Sequence, residues 1–458
     1  MSGSAVGHRQ VAGAQSVAAL DSARNRESAL PVAGQAAIDG RRVEALQLVV
    51  AIGSVLLIGL HSTLYYGVTT AAVPVALLIP VWTSILWRFR GAPSLMILTA
   101  LALVAGVLLA RVSAADHHID GREAFASITL LATGIGAVGV LLWVSTIIRP
   151  DRIALLYGVG MLLGSAASPA SWGSDPWKYA FAFPVAIIAL SLFQQLRSGI
   201  MSLVLLGVLG LVSIVFNYRS FLAFCVLTAL LVLWQKARRS PAASRNRFAP
   251  LLMMGVIGLG IYYLATSLLV GGFLGATLQQ RSIAQIDASG SLLIGGRPEW
   301  SATVQLMKMN PWGYGLGATP NMDDLMAGKR GFASINADYN NGYIENYMLG
   351  NQFHLHSIIA DLWSSCGVVG LVLAVLIVVR LLGSLSVALS ASSASAVFVL
   401  TTLVAVWDLG FGPIFTNLTD VTLALALAMM LPHLRCGPEA DSTASRGPQL
   451  TDDWQARA

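Results

Sequence analysis

Residues 93–112 read PSLMILTALALVAGVLLARV, a run whose single charge, Arg111, stands at its end. A helix needs ~20 mostly apolar residues to cross the hydrocarbon core of a bilayer, and this run supplies them. The chain repeats the pattern: comparable runs lie near 45–64, 67–87, 124–148, 152–169, 177–196, 199–216, 219–235, 249–274, 356–379, 384–407 and 414–433. About twelve transmembrane helices are therefore expected. Hydrophobic residues make up 56% of the chain, charged residues 11%, and mean hydropathy is +0.71. These values lie outside the range of a soluble domain of this length. The expected class is an all-α, polytopic membrane protein.

Short cytoplasmic loops hold an excess of Lys and Arg, so the positions of these residues test the span count. With both termini inside, most of the 28 Lys and Arg fall on the inner side. The exceptions are Arg111, Arg122, Lys178, Arg219, Arg281, Arg297, Lys308, Lys329 and Arg330, the last five in one long loop. The net charge of +6 is accounted for by loops facing anionic headgroups, and no nucleic-acid partner is needed.

Residues 1–42 are expected to be a disordered cytoplasmic leader and 436–458 a matching tail, flanking spans one to nine (43–275) and ten to twelve (356–435). Cys225 and Cys366 fall within spans and Cys436 within the tail, which excludes a disulfide framework. There is no phosphate-cradling Gly-Lys-Ser/Thr loop and no Cys-x-x-Cys pair.

Between the ninth and tenth spans, residues 276–355 form one long outer insertion, the kind of loop that usually carries function. Within it, GRPEWSATVQLMKMNPWGYGLG (296–317) predicts a short helix. Pro298 suits its first turn, Glu299 its dipole, and Trp300, Val304 and Met307 a common apolar face; Asn310-Pro311 ends it. A glycine-hinged aromatic turn containing Tyr314 follows. ADYNNGYIENY (337–347) is a polar, tyrosine-bearing stretch of a sort that can hold sugars, and NQFHLHS (351–357) closes the insertion with His354 and His356.

Together, QRSIAQIDASGSLLIGGRPEW, NPWGYGLG and HLHSIIADLWSSCGVVG resemble the O-antigen ligase and polymerase superfamily of bacterial envelope glycan assembly. In that family an arginine precedes a tryptophan-bearing helix, followed by a Pro-x-Gly-x-Gly turn, a His-Asn pair and a Gly-x-x-Gly. Arg297, Trp300, Pro311, Gly313, Gly315, His356, Gly367 and Gly370 fill those places, and Arg219 in FNYRSFLAF matches an arginine at the outer end of an earlier helix. Ser357 replaces the usual asparagine, and Ser365 stands where many members have a glutamate.

The resemblance implies transfer of a glycan from an undecaprenyl diphosphate carrier to a hydroxyl on a lipid, glycan or protein acceptor, at the outer face of the bacterial inner membrane. A departing lipid diphosphate calls for fixed cations, and a planar arginine fork suits phosphate oxygens. Arg219 and Arg297 are expected in that role, with Arg281 a third contact or a loop ion pair. Imidazoles titrate near ~6.5 and suit proton abstraction from a hydroxyl. His356 is the expected base, with His354, Trp300 and Tyr314 contacting substrate and Asp361, ahead of Asp408 and Asp420, as its supporting acid. The His-x-His pair with Asp361 lacks a fourth ligand, so neither a metal nor another cofactor is expected. His117 and His118 are expected to be solvated, and Trp172 and Trp177 to anchor at the membrane interface.

A ligase is expected ahead of a polymerase of the same superfamily. A twelve-span transporter is the competing class, but carriers show internal repeats and broken mid-membrane helices, whereas the polar residues here gather on one side. A purely structural scaffold would leave the charged, histidine-bearing loop without a purpose.

Overall fold

The computed structural model describes residues 42–173, 175–195, 199–216, 218–237, 248–273 and 275–431. The expected leader up to residue 41, the expected tail and Cys436 lie outside these residues. The chain divides into two units, Met1–Gly53 and Ser54–Ala458. Helix α1 (Arg42–Leu60) begins in the first; all that follows belongs to the second.

Seven helices among the described residues are long and apolar enough to cross a membrane. They are α1, α4 (Ala92–Ser113), α5 (Gly121–Val144), the Trp177–Gln195 segment whose regular part is α7 (Ala182–Gln195), α9 (Arg219–Ala237), α10 (Ala249–Val270) and α15 (Ile358–Ser390). Three other expected spans coincide with shorter helices, α6 (Pro150–Ala167), α8 (Gly199–Val215) and α17 (Ile414–Met429), whereas the one expected at 384–407 is divided: its first residues continue α15, which runs on through Arg380, and the rest fall in α16 (Ala396–Phe411). The run at 67–87 departs most from expectation. It opens in a two-stranded antiparallel hairpin, β1 (Thr63–Tyr65) with β2 (Val68–Thr69), and then breaks into α2 (Ala72–Leu77) and α3 (Ile79–Ile85). Pro80 sits in the first turn of α3 and lacks the N–H that would continue α2 into it.

Helices α5, α16 and α17 form the centre. Val138, Leu141, Leu400, Ala405, Leu423 and Leu425 are wholly enclosed, and α17 packs on both α5 and α16. By contrast, α8 and α10 present exposed apolar rows, including Val204, Val208, Leu211, Leu252, Val256 and Leu259. Apolar exposure on this scale is what a lipid phase covers.

The 276–355 insertion folds as helices, α11 (Ala276–Ser289), α12 (Leu292–Gly295), α13 (Glu299–Met309) and α14 (Met322–Ser334), then a π turn at Ile344–Met348, and its buried core is shared with Ala360 and Trp363 at the start of α15. The predicted helix after Pro298 is thus present and ends at Asn310. Its buried face differs from the expected one. Glu299, Ala302, Thr303 and Leu306 point inward, while Val304 is exposed. The cause is α14, which lies against α13 so closely that a Cβ on Gly331 would press on Ala302. Asn321 and Asp324 cap α14 reciprocally.

The aromatic turn joins the insertion to the bundle. Tyr314 N and Gly315 N donate to the Ser364 carbonyl at 2.8 and 2.9 Å, and Trp363 Nε1 donates to the Pro311 carbonyl at 3.1 Å. The Ser364 carbonyl faces the turn because α15 is kinked at Gly367, whose φ of 62° and ψ of −147° are not helical. Any Cβ at Gly313 would collide with the Trp363 carbonyl, and one at Gly367 with the Trp312 carbonyl. Two backbones therefore meet where only glycine fits.

Candidate functional site

The C-terminus of α16 organises the site. Its last carbonyls have no intrahelical donors, and three motif side chains supply them. Ser357 Oγ donates to the Leu409 carbonyl at 3.0 Å, Trp300 Nε1 to Gly410 at 2.7 Å, and Arg297 Nη1 to Phe411 at 3.2 Å. The Arg297 guanidinium also lies 5.7 Å from the ring centres of both Trp407 and Phe411. A cation is favoured at this negative helix end and over these ring faces. One N–H is engaged, so the fork keeps further donors for a ligand.

His356 is half-buried and adopts a left-handed conformation, φ 52°. Such backbone costs ~1–3 kcal/mol and persists only when its neighbours fix it. Here they do. Asp361 Oδ1 accepts from Leu355 N at 2.8 Å, directly before the histidine, and Oδ2 from Ile414 N at 2.9 Å, tying in the start of α17. Directly after it, Ser357 caps α15 by accepting from Ala360 N at 3.3 Å. Serine can thus fill the position where the family pattern has asparagine. His356 Nδ1 lies 3.2 Å from the His354 carbonyl, and Nε2 lies 3.5 Å from the Tyr343 hydroxyl.

Arg219 opens α9, and Arg281 on α11 is close enough for its charge to act on Arg219. The Arg297 charge reaches Tyr218, immediately before Arg219, and also reaches Tyr343. The structure therefore sets Arg219 within electrostatic range of Arg281, and Arg297 within range of both Tyr218 and Tyr343. His354 stands against Phe415 at 5.3 Å; burial first, then the His356 charge, push its imidazole below the ordinary range.

Two expected site residues are framework instead. Tyr314 is 1% exposed, stacked 4.1 Å from Phe353 and edge-on to Trp363, so it packs the insertion and presents no face to a ligand. Both Asp361 oxygens accept from backbone N–H groups, and neither bonds the His356 ring. Asp361 positions the histidine through the chain. Among the described residues no group of three His, Cys, Asp or Glu side chains is placed to hold a metal ion.

Three residues of consequence were not legible. His117, expected to be solvated, has a side chain only 5% exposed that bonds Asp116 at 2.8 Å and Asp324 at 2.9 Å, clasping the α4–α5 connection to α14. Glu299, read only as a dipole partner, is buried and accepts from the Tyr343 hydroxyl at 2.8 Å. Tyr343 lay unmarked among other tyrosines. The available signals were faint: an acid two residues after a key arginine, and a tyrosine in a polar run.

The fold and site thus describe a membrane protein with arginines and a histidine gathered at one end of its helix bundle. Residues 217–375, from just before α9 to the middle of α15, match the family model described as O-antigen ligase. This segment belongs with the O-antigen ligase superfamily, in agreement with the motifs it carries. The match implies a membrane, glycosyltransferase-like enzyme of ligase or polymerase type, working on a lipid-linked glycan and an acceptor. No curated protein and no solved structure matches the chain.

Proposed function

We propose that the protein is a ligase that transfers a glycan from undecaprenyl diphosphate to an acceptor hydroxyl at the extracytoplasmic face of the bacterial inner membrane, with both termini cytoplasmic. The observation that supports this reading is the convergence of Arg297 and of Ser357, the residue directly after His356, on the end of α16, within the segment that matches the family. Arg219, Arg281 and Arg297 receive the diphosphate. His354 and Trp300 border the sugar or the acceptor.

The Nδ1 partner is a carbonyl, which only accepts, so Nδ1 carries the ring proton and Nε2 presents its lone pair. The acceptor hydroxyl gives its proton to His356 Nε2 as its oxygen bonds to the sugar C1. The C1–O bond to the diphosphate breaks on the opposite side, and the electron pair leaves with the phosphate, where the arginines meet the growing charge. In-line displacement inverts the anomeric centre, and no step calls for a metal.

Replacing Arg297 with Lys tests the arginine role. A point charge cannot reproduce a two-pronged phosphate contact, so donor binding and transfer should both fall in protein that still accumulates. Wild-type donor affinity in this variant would remove Arg297 from diphosphate recognition. A ladder of repeats in place of single transfers would assign the polymerase reaction.

A further inference from the structure

We infer that Tyr343 and Glu299 form a two-residue support for His356 that takes effect as the histidine takes on a proton. The inference rests on the reading of His356 as the base. Its ground is a line of three groups from three parts of the insertion: His356 Nε2, the Tyr343 hydroxyl at 3.5 Å, and Glu299 Oε1 a further 2.8 Å on. The Tyr343 ring neighbours those of Phe332, 6.3 Å away between centres, and Tyr347, 6.0 Å away. Glu299 is buried, and its second oxygen, Oε2, has no partner among the described residues.

Counting protons gives the line its direction. Tyr343 has one hydroxyl proton and gives it to Glu299. Burial first, then the charge and hydrogen bond of Glu299, push the phenol above its ordinary range, so that proton stays on the oxygen. Tyr343 therefore offers no donor to Nε2, and the lone pair stays available to the acceptor hydroxyl. As Nε2 takes the acceptor's proton it becomes a donor, and the Tyr343 oxygen 3.5 Å away is able to receive it. That oxygen is already polarised by its bond to the carboxylate.

No proton moves between Tyr343 and Glu299. The carboxylate stabilises, through the phenol, the positive charge that grows on the imidazole as the proton arrives, an interaction weakest in the resting state and stronger in the transition state, which is where it accelerates reaction. Both are positioning residues. Among the described residues, the charged or titratable groups facing His356 or its Tyr343 partner are Tyr343 itself, His354 on the same loop, Glu299 of α13, and Arg297, whose charge reaches Tyr343. Of these, Glu299 is the anion joined to Nε2 through a hydrogen-bonded path.

The test uses full-length protein in nanodiscs and compares Tyr343→Phe, Glu299→Gln and His356→Ala for donor affinity, kcat and the pH profile of transfer. Tyr343→Phe keeps the ring and removes the link. It should lower kcat about tenfold or more, part of the ~10²–10⁴ that general base catalysis contributes, and leave donor affinity unchanged. Glu299→Gln keeps the shape and removes the charge. It should lower kcat and move the acid limb of the profile to lower pH, because a histidine without a nearby anion gives up its proton more readily. Wild-type kcat and profile in both variants, beside an inactive His356→Ala, would overturn the support while leaving His356 as the base. Loss of donor affinity in step with kcat in both variants, with no movement of the acid limb, would assign them to packing and overturn it as well. Transfer by His356→Ala would instead remove the base on which the inference rests.

Discussion

Replacing Asp361 with Asn changes one atom type at a position 3% exposed and should be costly. The two carboxylate oxygens accept from different backbone donors, Leu355 N at 2.8 Å and Ile414 N at 2.9 Å. An amide has only one acceptor oxygen, so either rotamer turns its NH2 toward one of the two N–H groups. A buried donor left unpaired costs ~1–3 kcal/mol, and the surviving bond loses its charge assistance, roughly another 1 kcal/mol. The expected loss is therefore about 2–4 kcal/mol, measured as unfolding free energy in mixed micelles against Asp323→Asn at an exposed position as control. Because Leu355 N–H fixes the chain just before His356, transfer should fall as well. An Asp361→Asn protein within ~0.5 kcal/mol of wild type would refute the two-acceptor account.

The His117 clasp predicts a pH-dependent stability. Burial opposes its charge, but hydrogen bonds to Asp116 and Asp324, and then their charges, outweigh it and raise the imidazole above the ordinary 6.5. Its contribution is thus complete below ~6.5 and is lost as pH rises through the raised folded value. Thermal stability should decline with pH above ~6.5 and the decline should flatten in His117→Gln; parallel curves would refute the clasp. Gly367→Ala should prevent accumulation of folded protein or cost at least ~1–3 kcal/mol, since its backbone conformation is essentially restricted to glycine and its Cβ would strike the Trp312 carbonyl; normal yield and melting would mean that α15 straightens without penalty. Trp300→Phe removes the bond to Gly410 and should lower stability by ~1 kcal/mol. Unchanged unfolding would show that water replaces the indole.

Long apolar runs made the membrane class legible, and the inserted helix after Pro298 was legible because proline, an acid and a terminating Asn-Pro are local signals. The break at 67–87 was harder to read. Pro80 stands in a stretch whose hydropathy alone resembles a span, and the hairpin before it lacks a strong turn signature. The inward face of α13 was set by α14, a tertiary choice that helical periodicity cannot supply. Arg297, Trp300 and His356 were singled out because their motif order resembles a family, but the end of α16 that takes bonds from Arg297, Trp300 and Ser357 lies more than fifty residues from His356 and is invisible locally. Tyr314 and Asp361 looked functional by type. One fills the insertion's core and the other pins two peptide groups.

The most direct measurement of the central claim is release of undecaprenyl diphosphate by purified protein in nanodiscs, given a lipid-diphosphate-linked glycan and an acceptor, with His356→Ala beside it. The account predicts release matched by single glycan transfer in the wild type, and donor binding without release in the variant. Equal release by both proteins, or a wild type that neither binds nor cleaves the donor, would contradict it.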